Sequence, residues 1–483
     1  MIDIQKFTPR KSPEPNRPFV NRVSELNLIQ TKVNTALRGD PVHLAITCFW
    51  GPFGMGKSWL MRELERRYQF SGLREAGGSK PTVTARLDLN QKASPTLWEG
   101  HELIKENLIR QLWKQIADQI NVASPNLEQA SPEEWTSEFI AQATTWSSDY
   151  IILIMLDTVD DLIKNNESSF FWLEQSLIER LILTGKVLLV FTSRGELRTW
   201  KRFQVRQRVE THRLTAFDAE TAGKEINSNS QDTSQLIFEH AFGHPLVTDY
   251  VSRLLQNDEH TTLITGSNSE NIDIAAVREV LQAVVTEIFN PLEEPIAKVA
   301  KYISILRWVS AESLRSLIEK LDASQLGRGD VYFLDQIASL QSNHLLYWNS
   351  SQKNYELDTV LRHIITHFLE IDDLHLFGLA NSYAFTFHLE HLEKYPQYLA
   401  RYIPELVFHR ALLKRCTLLD SQPITFQKWW ETFLATKSSE VSTDAWKELL
   451  VRLKNDDELC KLANDEYTTL LSYTEEKSTQ KTV

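Results

Sequence analysis

Cysteine is nearly missing from this chain of 483 residues, with Cys48, Cys416 and Cys460 far apart and odd in number. That excludes a disulfide framework and leaves no closely spaced sulfur ligands for zinc, so a fold held by burial in a reducing compartment, the cytoplasm, is expected. Long apolar runs are missing as well. The longest, Tyr150 to Leu156, falls far short of the roughly 20 residues that cross a bilayer, and no membrane association is expected. Lys6, Arg10 and Lys11 are followed by Pro-rich polar sequence rather than an apolar stretch, which argues against a signal peptide. Basic residues are outnumbered, 52 Lys and Arg against 64 Asp and Glu, for a net charge of -12. The chain as a whole lacks the concentrated basic face that neutralises a phosphate backbone, so nucleic acid is the disfavoured partner, with a local patch left open. The hydrophobic share, 42%, is that of an ordinary globular protein, and the length calls for several domains.

What the chain does contain is Gly51-Pro-Phe-Gly54-Met-Gly56-Lys57-Ser58. The apolar run His43 to Trp50 precedes it and the amphipathic stretch Trp59 to Tyr68 follows. Strand, G-x-x-x-x-G-K-[ST] loop and helix, in that order, form the phosphate-binding loop of an NTPase. Glycines let the backbone curl until its N–H groups face the phosphates, and the helix opening at Lys57 adds the positive end of its dipole. Lys57 is expected to reach the β and γ phosphates, the nucleotide being ATP or ADP. Ser58 is expected to offer its hydroxyl to Mg²⁺, which prefers hard oxygen ligands. Gly51, Gly54, Gly56 and Trp59 complete the expected nucleotide cradle.

Residues 1–18, with four prolines, read as an extended arm, and residues 19–215 as the P-loop NTPase domain. Within that domain Thr82 to Leu89 alternates like a strand, while Leu97 to Ile120 and Trp135 to Trp146 read as helices covering the sheet. Tyr150 to Asp157 is a continuous apolar strand ending in an acid, the way a buried parallel strand delivers a carboxylate to its C-terminal edge. Asp157 is therefore the expected Mg²⁺ ligand. Asp160 and Asp161 have two readings, orienting the attacking water or capping the next helix. The following strand, from Lys186, ends at Thr192-Ser-Arg194, where Arg194 would sense the γ-phosphate. The basic stretch Arg198 to Arg213 is either a surface for nucleic acid or an acidic partner, or a solvated loop and edge strand.

The rest of the expected layout is a small helical domain at 216–256, a linker at 257–275, a winged-helix domain at 276–370, a C-terminal helical region at 371–474 and a disordered tail at 475–483. The winged helix rests on three helices and a hairpin around Ser350-Ser-Gln-Lys353, and helix breaks are expected near Pro396, Pro404, Pro423 and Ser438. The fold class is thus α/β, a parallel-sheet P-loop core followed by helical, winged-helix and all-α parts. His240/His244, His363/His367 and His388/His391 have metal-like spacings, but no third ligand joins them at a recognisable spacing, so packing is their expected role.

Taken together, Phe19-Val-Asn-Arg22 with Glu25, the P-loop, Leu156-Asp-Thr-Val-Asp-Asp161, Phe191-Thr-Ser-Arg194 and Gly243-His-Pro245-Leu resemble the STAND class of ATPases, the signalling branch that includes NACHT and NB-ARC proteins. The resemblance covers residues 19–370. The acidic motif is similar to the NACHT form, with Thr158 where that form has a small residue and Asn21 where the family has a glycine. The resemblance implies that Phe19, Val20 and Arg22 hold the adenine side and that Pro245 contacts the nucleotide from a second domain. Where the resembled proteins place a histidine against the β-phosphate this chain has Asp358, an acid, and that contact is not carried over.

The implied function is a switch that binds and slowly hydrolyses ATP, with nucleotide between the α/β core and the winged helix. Its nucleotide state would control a homo-oligomer or docking onto an effector or sensor protein in trans. Residues 1–18 are too short for an enzymatic effector and no protease, nuclease or transmembrane signature follows residue 371, hence the separate partner. Trp429, Trp430 and Trp446 are read either as a sensor surface or as helical core. Two alternatives stand beside this one: an AAA-type ATPase whose winged helix acts on DNA, and a nucleotide-binding scaffold without turnover.

Overall fold

The computed structural model describes residues 22–69, 81–91, 93–98, 104–123, 130–225, 231–256, 274–416 and 426–479, in two compact units divided between 271 and 272. The expected arm, Phe19, Val20, most of the linker and Pro423 lie outside the described residues.

The first unit is built on strands β1 (Ile46–Trp50), β2 (Thr82–Asp88), β3 (Ile151–Asp157), β4 (Val187–Ser193) and β5 (Val209–Arg213). Their order in the sheet is β2-β3-β4-β1-β5, and every pairing is parallel. Side chains alternate across such a sheet, and both faces are apolar here, as an all-parallel sheet requires. Cys48, Ile154, Leu156, Leu189 and Phe191 pack on one side with helices Ile104–Ile120 and Pro132–Trp146. Phe49, Leu153, Met155, Leu188 and Val190 pack on the other with α1 (Val23–Leu37) and α2 (Lys57–Tyr68). The layout is the expected α/β parallel-sheet core. Because β4 lies between β1 and β3, the P-loop strand and the Asp157 strand are separated by one strand whose own C-terminus falls between theirs.

β5 is an edge strand, and the basic stretch leading into it is occupied internally. Arg202 Nε donates to Glu179 at 2.9 Å, Arg208 Nη1 donates to the Ile182 carbonyl at 3.1 Å, and the Arg213 guanidinium lies 5.3 Å from the centre of the Trp50 ring. These contacts favour the edge-strand reading of Arg198 to Arg213. Three helices, Ala219–Glu225, Gln231–Ala241 and Pro245–Gln256, complete the unit.

The second unit starts with helix Ile274–Phe289, so the last two positions of the expected linker are already helical. Helices Glu294–Ile303, Ala311–Leu321 and Asp330–Ser342 follow, then the antiparallel hairpin β6 (Leu346–Asn349) and β7 (Asn354–Leu357), with Val309 bridging to Tyr355. Asp358 caps helix Thr359–Asp372, its Oδ1 accepting from the Val360 and Leu361 amides at 3.0 and 3.2 Å.

Several expectations need correction. Pro404 does not break its helix: Leu399–Leu413 runs through it, and burial on nearly every side outweighs the one backbone bond a proline forfeits. The segment from 475 is no disordered tail through Thr479, since the helical stretch Asp457–Thr479, kinked at Asn464, runs on with Tyr467, Leu470, Thr474 and Ser478 buried beyond the kink. Trp430 and Trp446 are buried and meet edge-to-face at 6.2 Å, which makes them core. The Trp429 side chain lies outside the described residues.

The central position of β4 sets a stability test. Leu189→Ala should destabilise the first unit by about 2–5 kcal/mol in denaturant unfolding, whereas Leu183→Ala at an exposed site should shift it by less than about 0.5 kcal/mol.

Candidate functional site

The loop between β1 and α2 is shaped by its glycines. Gly54 and Gly56 have φ of 76° and 81°, a left-handed backbone that glycine adopts without strain. Gly54 has a second constraint, since a Cβ there would collide with the ring of His244. Lys57, the first residue of α2, turns its Nζ back to donate to the carbonyls of Gly51 at 2.7 Å and Pro52 at 2.8 Å. Burial pushes its pKa down to about 8, against the opposing pull of Asp160 and Asp157. Ser58 and Trp59 continue the first turn of α2, both half-buried.

Asp157, the last residue of β3, is fully buried. Its Oδ1 accepts from the Thr192 hydroxyl, which itself accepts from the Thr158 amide at 3.0 Å. Its Oδ2 is buried with no hydrogen-bond partner. Asp88 stands opposite Asp157 in register at the end of β2, and burial, then the Asp157 charge, pushes its pKa up to about 6. Asn90 ties the end of β2 to the helix that follows β3, its backbone N–H donating to Asp88 Oδ1 at 3.0 Å and its Nδ2 to Asp161 Oδ2 at 2.5 Å.

Asp160 and Asp161 lie in the first turn of helix Val159–Asn165, whose N-cap is Thr158 with no side-chain cap bond. The Arg194 amide donates to Asp160 Oδ1 at 3.1 Å, and the Arg194 guanidinium lies 3.8 Å from Asp160 and 3.7 Å from Asp161. These two acids therefore face the strand ends, which is not how a capping residue is used. Burial holds Asp161 above the usual carboxylate pKa, with Arg194 opposing. Thr158 has φ of 59°, where a β-branched residue is strained.

Two side chains from outside the motif hold the loop backbone. Arg22 is buried and donates from Nη2 to the Met55 carbonyl at 2.9 Å, with Glu25 at 3.7 Å and the Phe217 ring centre at 5.4 Å. His244 is fully buried, its Nε2 lying 2.9 Å from the Phe53 carbonyl and its Nδ1 3.3 Å from the Val247 amide. An amide only donates, so Nδ1 carries the lone pair and Nε2–H is the donor to Phe53. Pro245 opens the helix Pro245–Gln256 beside it, half-buried, while His244 and Leu246 lie against Gly54 of the loop. In the sequence His244 and Thr192 stand out only as members of the Gly243-His-Pro245 and Phe191-Thr-Ser-Arg194 motifs, His244 also for its spacing from His240, with no role of their own, and Asp88 and Asn90 carry none. The strand ending in Asp88-Leu-Asn90 was the available signal for two of them, once all strands are parallel.

A phosphate ligand should restore full charge to Lys57. Its pKa, about 8 in the free protein, would rise on binding, so binding near pH 8.5 takes up protons and affinity falls as pH climbs through about 8. Calorimetry of ATP binding in buffers of different ionisation enthalpy reads this directly. A buffer-independent enthalpy near pH 8.5 would contradict it.

No protein-family model matches the sequence, and no curated protein sequence matches it. Among solved structures, a Walker-type ATPase of Pyrococcus abyssi is similar over 74% of this chain and 99% of its own, with 13% identity and a TM-score of 0.50. The ORC2 protein of Aeropyrum pernix, with ADPNP and ADP, matches over 77% of this chain and 98% of its own at 13% identity and a TM-score of 0.45. A STAND protein with a tetratricopeptide repeat sensor from Pyrococcus horikoshii matches over 97% of this chain and 69% of its own at 15% identity and a TM-score of 0.29. Identities this low speak to fold alone, and the first structure carries that likeness. The chain has a P-loop ATPase fold.

Proposed function

We propose that this chain is a nucleotide-controlled switch of the STAND type. It binds ATP or ADP with Mg²⁺ at residues 51–59, hydrolyses ATP slowly, and uses the nucleotide state to govern self-association or docking onto a separate protein. The observation that carries this reading is Asp157 Oδ2, a buried carboxylate oxygen with no donor, on the strand next but one to the phosphate-binding loop. An unmet buried acceptor costs about 1–3 kcal/mol, more when charged, and a cation removes that cost. Mg²⁺ held by Asp157 and Ser58 would neutralise charge on the β and γ phosphates.

The remaining roles belong to the chain's own groups. Lys57 exchanges the Gly51 and Pro52 carbonyls for phosphate oxygens. Asp160 or Asp161 accepts a hydrogen bond from the attacking water and aligns it, and Arg194 beside them stabilises charge on the transferring group. The bond from His244 to Phe53 ties the loop to helix Pro245–Gln256, so a change in loop geometry on nucleotide exchange is felt there. This use of the Gly243-His-Pro245 motif supports the STAND reading over a DNA loader. Moving a switch from mostly closed to mostly open takes about 5.5 kcal/mol of differential affinity. Two to four charge-assisted hydrogen bonds at about 1.5–3 kcal/mol each supply it.

Charge also speaks against DNA. If the second unit's three helices and hairpin act as a winged helix, Asp330–Ser342 is the helix that would enter a groove, and it carries Asp330 and Asp335 with no lysine or arginine. It exposes Val331 at 70% and Leu334 at 49%, which suits a protein partner better than a phosphate backbone. No helix among the described residues is long and apolar enough to cross a membrane. The cytoplasm remains the proposed location, on the scarcity of cysteine.

The test combines binding, turnover and mass. Lys57→Ala should abolish nucleotide binding in a chain whose circular dichroism is unchanged. Asp160→Asn with Asp161→Asn should lower turnover by about 100-fold or more while binding persists. Light scattering and partner pull-downs in apo, ADP and non-hydrolysable ATP states should differ. Identical masses and identical partners in all three would reduce the chain to a nucleotide-binding scaffold.

A further inference from the structure

The second unit holds a polar cluster that nucleotide chemistry does not use. Helix Leu399–Leu413 carries Glu405 and His409 four residues apart, hence on one face, and helix Leu374–Lys394 brings His388 to them. All three are buried, with exposures of 1%, 0% and 1% for Glu405, His409 and His388. One ligand atom from each lies within 4.8 Å of the other two. His391, the residue that sequence spacing pairs with His388, is engaged elsewhere, its Nδ1 at 2.7 Å from the Phe387 carbonyl and its Nε2 at 3.0 Å from Glu312.

The tautomer of His409 follows from its neighbours. Asn381 Nδ2 donates to the Phe377 carbonyl at 2.9 Å, which turns Asn381 Oδ1 toward His409 Nδ1 at 2.8 Å. A carbonyl oxygen only accepts, so Nδ1 bears the ring proton and Nε2 presents a lone pair. That Nε2 is buried without a hydrogen-bond partner, and so is Nδ1 of His388. The two rings lie nearly parallel, 5.5 Å apart with 13° between their planes. A histidine whose far N–H is fixed by an oxygen acceptor while its other nitrogen points into a buried polar cluster is arranged as a metal ligand.

We propose that His388, Glu405 and His409 bind Zn²⁺ and that the ion fastens helix Leu374–Lys394 to helix Leu399–Leu413. Two imidazoles and a carboxylate are a ligand set that zinc accepts, with the fourth position left to water. Burial keeps both rings in the neutral form that ligation needs, with His388 pushed down to about 4 and His409 held well below the usual imidazole range. Glu405 already accepts from Arg307, Nε to Oε2 and Nη2 to Oε1, both at 3.0 Å. Each carboxylate oxygen offers two lone-pair sites, so Arg307 and the ion share the group, and Arg307 Nη1 is further matched by Asp456 at 2.6 Å. The full burial of the ligands gives the ion a structural role, joining the two helices.

The test uses the full chain stripped with a chelator and shown to be folded by circular dichroism. It is titrated with Co²⁺ and then Zn²⁺ under excess Mg²⁺, which occupies the oxygen site at Asp157 and competes poorly for imidazole. One equivalent of Co²⁺ should bind with a visible ligand-field band that Zn²⁺ removes, and Zn²⁺ should raise the melting temperature of the second unit. His388→Gln and His409→Gln should each weaken Zn²⁺ binding by more than 100-fold, and His391→Gln should leave it unchanged. A folded, stripped wild-type chain that takes up neither ion would overturn the proposal, and so would uptake that survives in both ligand variants.

Discussion

A buried carboxylate with one oxygen unmet sets the terms for the first unit. Asp157 is fully enclosed because β3 is apolar along its whole length and both faces of the sheet are covered. Thr192 satisfies Oδ1, and nothing among the described residues satisfies Oδ2. The surroundings respond to that charge. Asp88, in register beside it, is pushed toward its protonated form, while Lys57 keeps part of its positive charge against burial through Asp160 and Asp157. Placing β4 between β1 and β3 then sets Thr192 and Arg194 between the loop and the acids. A divalent cation with an anionic ligand would offset these charges together, which is what the proposed Mg²⁺ and nucleotide would supply.

The loop itself is held by carbonyl contacts on its outside. Arg22 grips the Met55 carbonyl and His244 grips the Phe53 carbonyl. Phe217 joins these two holds: Arg22 lies over its ring, and its amide donates to the Gly243 carbonyl at 2.8 Å. Gly243 has φ of 69°, and a Cβ there would strike the Phe217 carbonyl, so glycine is needed to seat the turn that delivers His244. The small helices after β5 are thus tied to the phosphate loop by a short path of side-chain and backbone contacts, which is what the proposed nucleotide-sensitive switch would use.

Legibility in the sequence tracked locality. The phosphate loop is one contiguous segment with a defined strand and helix on either side, and Asp157 ends an unbroken apolar run, so both were readable without a structure. So was the order of the second unit's three helices and hairpin. Asp88 with Asn90, Thr192 and His244 come from three separate segments, which the parallel strand order and the turn at Gly243 bring together. His388 and His409 escaped for the same reason, since spacing within one helix pairs His388 with His391 and hides the partner across the helix hairpin. Pro404 and the stretch from 475 were misread because local composition was allowed to outweigh burial on a helix face. The tryptophans illustrate the same limit from the other side, as aromatic content alone does not tell core from surface.

The central claim is that Asp157 holds the metal that accompanies the nucleotide, and the most direct measurement is ATP affinity by calorimetry with Mg²⁺ and with EDTA, in wild type and in Asp157→Asn. Wild type should bind ATP at least tenfold more tightly with Mg²⁺, and Asp157→Asn should lose this difference while keeping its affinity in EDTA. An Asp157→Asn chain that still gains the same factor from Mg²⁺ would contradict the claim.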